Sequence, residues 1–269
     1  MIFSTLKKRI YNDFFRPSRL NWYENLLKKA VNQGYLFYTI DEFNKKIVNN
    51  KDVVFNEKYF IIRHDIDTDP TTAYKIFLIE KKYSIKSTYY FRLSTTNEKL
   101  INEIKKFGSE VSYHYEEMAT FAKRNKIFSM SVINDRIDEI RTEFCNNLIQ
   151  FRNRFNVESL TIASHGDFMN IKLGHPNLYI LNEEIRSKFN IELEAYDQDF
   201  MKYVTCRIAD LGTIDQVWKS DSNIGLDEAL DKNEKVIYLL IHPRQWYSRV
   251  TSNLYENFIR IFEEIKLHI

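Results

Sequence analysis

Glycine and proline are scarce in this chain, six and four in 269 residues. No glycine-rich loop that cradles phosphate can be drawn from so few, which weighs against a metallophosphoesterase. Cysteine is scarcer still. Cys145 and Cys206 stand far apart with no CxxC pair, so neither a disulfide framework nor a cysteine-rich zinc site is expected, and both read as buried thiols. Neither sign of charge dominates. Thirty-nine basic and 37 acidic residues leave a net charge of +2, without the basic excess of a general nucleic-acid binder, and a polyanionic substrate is not expected. Long apolar runs are missing too, since none approaches the roughly 20 residues of a membrane span. The opening MIFSTLKKRIYNDFFRPSRL has no uninterrupted apolar stretch and no small-residue cleavage site, so a cytoplasmic location is the expectation. Linkers rich in Gly, Ser or Pro, low-complexity segments and short-period repeats are absent as well.

Apolar and aromatic side chains are abundant, 44% and 15% of the residues, enough to bury a sizeable core in one compact domain. Residues 1–56 read as a mainly helical N-terminal extension packed on the remainder of the chain, with one short strand at Tyr35-Leu36-Phe37-Tyr38 between a helix closing at Gly34 and another capped by Asp41. Near its start Phe3, Leu6, Ile10, Phe14 and Phe15 mix with Lys7, Lys8, Arg9 and Arg16. Packing against the domain is the expectation, and peripheral contact with a membrane surface is the alternative.

Residues 57–269 show a regular alternation. A strand over Tyr59 to His64 leads into a helix of about 70–82 that starts at Asp69-Pro70. Ser87-Thr88-Tyr89-Tyr90-Phe91 is β-branched and aromatic, hence a strand, and Thr95 with Glu98 has the capping-box pattern for a helix ending at Gly108. Strands at 110–114, 159–164 and 236–241, a long helical region over 119–154, and a strand over 217–222 ending in polar residues complete the pattern. Alternating strands and helices predict parallel βα units and an α/β barrel or doubly wound sheet.

The chemistry gathers at the predicted strand ends. Asp65 and Asp67, His114, His165 and Asp167, Asp221, and His242 each stand at or just past a carboxyl end, where a parallel barrel converges on one face. Counting His64, four of the six histidines are placed this way, while His175 and His268 read as loop and tail. Imidazoles paired with carboxylates suit Zn²⁺ or a related first-row ion, with one position open for water if three protein ligands bind. His64 follows its strand directly and reads as a supporting residue. Gly166 allows close backbone approach beside His165, and Pro243 holds His242 in extended backbone.

Four segments carry a resemblance: Asp65-Ile66-Asp67 behind His64, Ser87 to Phe91, Gly108-Ser109-Glu110-Val111-Ser112-Tyr113-His114, and Leu240-Ile241-His242-Pro243. In order and spacing they resemble the motifs of the polysaccharide deacetylase (NodB-like) superfamily, in the branch whose first motif is His-Asp-x-Asp, over about residues 59 to 246. The resemblance implies a distorted (β/α) barrel of the NodB type that binds one divalent metal, usually zinc, and hydrolyses N-acyl groups on sugars. By motif position it implies Asp65 as general base, Asp67 and His114 as metal ligands, and His242 as general acid. The chain departs from the pattern in three places. Met118 stands where the second motif has another histidine, so the third ligand falls to His165, with Glu116 or Glu117 as alternatives. Ser164-His165-Gly166-Asp167 occupies the place of the arginine-proline motif. Ile66 separates the paired acids, which leaves the roles of Asp65 and Asp67 interchangeable.

Arg63, His64, Glu116, Asp167, Asp221 and Trp246 complete the candidate set as substrate-binding or supporting residues. The expected activity is metal-dependent removal of an acetyl or formyl group from an amino sugar carried on a nucleotide or lipid, in surface polysaccharide biosynthesis. The alternative, prompted by Met118, is a sugar-binding or scaffold protein that keeps the barrel without turnover.

Overall fold

A strand with apolar side chains on both faces must be covered twice, and the sheet meets that demand by curling. The computed structural model describes residues 10–49, 57–211 and 217–267. Its nine strands are β1 (Leu36–Tyr38), β2 (Tyr59–Ile66), β3 (Thr88–Phe91), β4 (Glu110–Tyr115), β5 (Thr161–Ser164), β6 (Leu193–Glu194), β7 (Cys206–Asp210), β8 (Trp218–Ser220) and β9 (Val236–Ile241). They pair in the order β6-β5-β4-β3-β2-β9-β7-β8, with β1 added to β2. Every pairing is parallel except β7 with β8. The result is a distorted (β/α) barrel, open between β6 and β8.

The central strand is β2, buried along its whole length. One edge pairs with β9 from Tyr59 to His64. The other takes β1 at Tyr59 to Ile61 and then β3 at Arg63 to Ile66. The N-terminal segment thus supplies a strand to the same sheet. Alternate β2 side chains serve different cores: Tyr59 and Ile61 join Tyr90, Ala163 and Tyr238 inside the curl, while Phe60 and Ile62 pack outward under the helices of residues 20–32 and 226–231. Period two therefore sends Arg63 and Asp65 inward and His64 outward.

Local signals place the strand ends. Asp69 is the N-cap of the helix Pro70–Lys82, accepting from the Thr72 amide at 3.1 Å. Gly108 ends the helix Glu98–Phe107 at φ 91°, a left-handed conformation that costs glycine little. Thr95 does not cap that helix; Asn97 does, at 3.0 Å from the Leu100 amide. The Thr95 hydroxyl is drawn off to the carbonyl of Ile66, where it ties down the end of β2. The helical region expected over 119–154 is three helices, 117–125, 130–135 and 137–155. The strand expected over 217–222 is β8, which runs antiparallel to its neighbour, so its carboxyl end lies at the opposite rim of the sheet.

A buried polar knot locks β2 to its helices. His64 stacks on Tyr89 with ring centroids 4.4 Å apart, and its Nε2 lies 2.6 Å from Glu80 Oε1. Glu80 also accepts from the hydroxyls of Tyr23, Ser87 and Tyr89. Burial disfavours its charge, but His64 and these donors hold its pKa below the usual carboxylate range. Glu80→Ala strands an imidazole and three hydroxyls, and the expected loss is about 3–5 kcal/mol of unfolding free energy. Urea denaturation reads this as a lower midpoint, and a loss under about 1 kcal/mol would show the knot to be dispensable.

Candidate metal centre

The parallel strands deliver their ends to one mouth. Asp67 follows β2, His114 stands near the end of β4, His165 follows β5, and His242 follows β9. Asp67 Oδ1 lies 3.0 Å from His114 Nε2 and 3.4 Å from His165 Nε2, while Asp67 Oδ2 lies 3.8 Å from His242 Nε2. Asp67, His114 and His165 each offer one ligand atom within 4.8 Å of the others.

The tautomer of His114 follows from its partner. Its Nδ1 is 3.0 Å from the Ala163 carbonyl, which can only accept, so Nδ1 carries the hydrogen. In the neutral ring Nε2 then points a lone pair at a carboxylate oxygen. Two acceptors at 3.0 Å require a cation or a proton between them. A second-sphere carbonyl that fixes the far nitrogen of a histidine is the usual support of a metal ligand. Burial lowers the pKa of His165 against the raising effect of Asp67, which favours the neutral ring that a metal needs. The fit is that of a three-ligand N₂O site with open positions.

Asp65 sits beside this group, with Oδ2 3.5 Å from His114 Nε2. Arg63 donates to both its oxygens, Nε to Oδ1 at 2.7 Å and Nη2 to Oδ2 at 2.8 Å. The guanidinium itself lies 4.3 Å from the Tyr196 ring centroid. Burial opposes ionisation of Asp65, but the charges of Arg63 and then His114 hold its pKa below the usual range. Burial likewise works against the ionised form of Asp67, and there protonation of His165, together with the His114 contact, would hold its pKa below the usual range.

On the other side of the mouth, His242 is held by Asp210. His242 Nδ1 lies 2.6 Å from Asp210 Oδ1, and the His242 amide donates to Oδ2 at 2.8 Å. Trp246 Nε1 also donates to Oδ2 at 2.8 Å, which fixes the carboxylate. Burial alone would lower the pKa of His242; Asp210, with help from Asp67 and Asp65, overrides it and pushes the pKa up to about 10.

Not every candidate joins. His64 is turned to the outer face and spent on Glu80. Asp221 is exposed at the far rim, because β8 is antiparallel. Glu117, an alternative third ligand, is buried against Tyr113 and Asn147, and burial pushes its pKa up to about 7. Glu116 stays near the mouth, 3.7 Å from His165 Nδ1, but its carboxylate is taken by Arg92 Nε and Nη2 at 2.9 and 2.7 Å. Arg92 also donates to the Asp67 carbonyl at 3.0 Å. Asp167 caps the helix Phe168–Leu173 and pairs with Lys123 at 2.8 Å. Sequence reasoning misses Asp210 and Arg92. For Asp210 a signal exists: Cys206-Arg207-Ile208-Ala209-Asp210 alternates and ends in an acid.

Two solved structures are similar to this chain. One is described as peptidoglycan deacetylase PdaC from Bacillus subtilis, at 16% identity and a TM-score of 0.37, covering 79% of this chain and 86% of that one. The other is a single-site variant of the same protein, at 16% identity and a TM-score of 0.38, covering 80% and 87%. No protein-family model and no curated protein matches. Likeness at that level decides nothing about activity, which must be read from the mouth itself.

Zn²⁺ titration checks the cluster. Wild-type protein is expected to take up one equivalent, Asp67→Asn and His114→Ala to bind at least about tenfold more weakly, and Glu117→Gln to match wild type. Equal uptake by all four would place the ion elsewhere.

Proposed function

We propose that this protein is a metal-dependent hydrolase that removes an N-acyl group, acetyl or formyl, from an amino sugar. Asp67, His114 and His165 hold the ion, Asp65 is the general base and His242 the general acid. The observation that carries this reading is the approach of His114 Nε2 to Asp67 Oδ1 at 3.0 Å, beside a carboxylate and an imidazole whose pKa values are driven apart. When bound, a divalent ion polarises an acyl carbonyl and makes a water acidic enough to react near neutral pH.

The chain's own groups account for the proton movements. Asp65 is ionised and aimed by Arg63, and each of its oxygens keeps a lone pair with which to take the proton of the attacking water. As the tetrahedral adduct collapses, the C–N bond breaks and His242, protonated at neutral pH, gives its proton to the departing nitrogen. The products are a carboxylic acid and the free amino sugar. Two titrating groups pushed in opposite directions mark the base and the acid.

In this reading His165 takes the place that Met118 leaves open. The Met118 side chain is fully buried in the outer core, and His165 approaches Asp67 from the next strand. No helix among the described residues is long and apolar enough to cross a membrane. The motif resemblance supports an N-acylated amino sugar as the substrate, and the cytoplasmic expectation from the sequence supports a nucleotide or lipid carrier in surface polysaccharide assembly.

Release of acetate or formate from nucleotide-linked N-acylated amino sugars tests the activity. Asp65→Asn and His242→Ala are each expected to lower kcat about 100-fold or more while Zn²⁺ content stays near wild type. Retained turnover in both variants would remove the assignment. The pH profile gives a further check. His242 acts protonated, so activity falls as pH rises through its pKa. That limb lies below pH 10 once an ion offsets the charge of Asp67. Asp210→Asn removes the main raising charge and should move the limb down by about one to two pH units; an unmoved limb would separate it from His242.

A further inference from the structure

Beside the Asp210 flank of the mouth lies a positive cluster that the chemistry above does not use. The segment from Arg16 to Arg19 docks on the turn after His242: the Arg19 amide donates to the Trp246 carbonyl at 2.8 Å, and Arg16 Nη2 donates to the Arg244 carbonyl at 2.7 Å. Arg16 is only 5% exposed, yet its other partner is the neutral Gln245 Oε1 at 3.1 Å, and its Nε has no partner at all. Arg244 reaches Asp13 Oδ1 at 2.7 Å. No ion pair is made by Arg19 among the described residues.

Arg19 is also the N-cap of the helix Leu20–Asn32; its side chain makes no cap, the first turn holds no acid, and Ser18 Oγ accepts from the Leu20 amide at 3.3 Å. The dipole end of a thirteen-residue helix therefore adds to the guanidinium charge. Set against three arginines are Asp13 and Asp210, and both oxygens of Asp210 already serve His242 and Trp246. Burial and the neighbouring Arg19 push the Arg16 pKa down to about 10, against the opposing pull of Asp210 and Asp13. Burying a guanidinium without a carboxylate is costly unless an anion completes it.

We propose that Arg16 and Arg19, with the start of helix 20–32, bind a phosphoryl group of the substrate, so that the amino sugar is presented as a phosphate or diphosphate ester. This deepens the reading above and rests on it for the identity of the mouth. The cluster adjoins the turn that follows His242, which it meets at Gln245 Oε1 and at the Arg244 and Trp246 carbonyls. Arginine is the side chain that matches phosphate oxygens by paired hydrogen bonds.

The test uses full-length, metal-free protein, so that it reads the subsite and not turnover. Calorimetric titration with inorganic pyrophosphate should give saturable, salt-sensitive binding. Arg19→Gln, at a partly exposed position, should weaken it about tenfold or more, and Arg16→Gln should do likewise if it folds. A nucleoside diphosphate binding more tightly than pyrophosphate would identify a nucleotide carrier, and equal binding a carrier recognised by its diphosphate alone; both support the subsite. Absence of saturable binding, or binding unchanged in Arg19→Gln, overturns it. Because Zn²⁺ uptake and acyl release are measured separately, failure here leaves the hydrolase reading standing, and failure there leaves this measurement intact.

Discussion

The hydrogen bond from His114 Nδ1 to the Ala163 carbonyl does more than orient one ring. It turns the other nitrogen toward Asp67, and it does so across the β4–β5 pairing, where His114 and Ala163 are register partners. A one-residue slip of that register would turn His114 to the outer face and replace Ala163 as its acceptor. The small side chain at 163 matters as well, since it points into the curl beneath the ring. Sheet register and the aim of His114 Nε2 are therefore set by one contact, and the rest of the mouth is arranged around that nitrogen.

The neighbouring groups are divided by charge. On one flank Arg63 keeps Asp65 ionised; on the other Asp210 keeps His242 protonated. Each support is buried, and each is held by an aromatic: Arg63 over Tyr196, Asp210 by the indole of Trp246. Trp246 in turn packs against Tyr23 and Trp22 of the helix that begins after Arg19. The N-terminal segment thus enters the site by two routes, through the tryptophan that steadies Asp210 and through the arginines beside it. Arg92 closes the remaining side, holding Glu116 by its carboxylate and Asp67 by its carbonyl.

Much of this is legible in the chain because burial and period two leave plain marks. Apolar runs that end in His or Asp identify β2, β4, β5 and β9, and the rule that parallel strands end on one rim brings Asp65, Asp67, His114, His165 and His242 together. The illegible part depends on direction or on tertiary competition. Asp221 is misplaced because nothing in Trp218-Lys219-Ser220 distinguishes an antiparallel strand from a parallel one. Asp210 escapes notice because the short strand before it alternates partly exposed residues, Arg207 and Ala209, in place of a continuous apolar run. Thr95 has the pattern of a helix cap, but the carbonyl of Ile66 claims its hydroxyl. His64 and Glu117 stand close to the site in sequence, whereas strand alternation turns the first outward and core packing encloses the second.

The departure at residue 118 has a further physical consequence. A histidine four residues beyond His114 would stand in the first turn of the helix 117–125, directly after β4. With Met118 in the outer core, the third imidazole comes from β5, so the candidate ligands span three separate strands, β2, β4 and β5. The β4–β5 pairing is short, with His114 opposite Ala163 and Tyr115 opposite Ser164, and β5–β6 is equally short. An ion held by Asp67, His114 and His165 binds only when those strand ends are assembled. Its binding energy is therefore folding energy for the thinnest part of the sheet, about 2.7 kcal/mol when the free ion stands at a hundred times its Kd. With His165, just past β5, in place of residue 118 in the helix 117–125, the proposed centre would be a clasp between strands that share few backbone hydrogen bonds of their own.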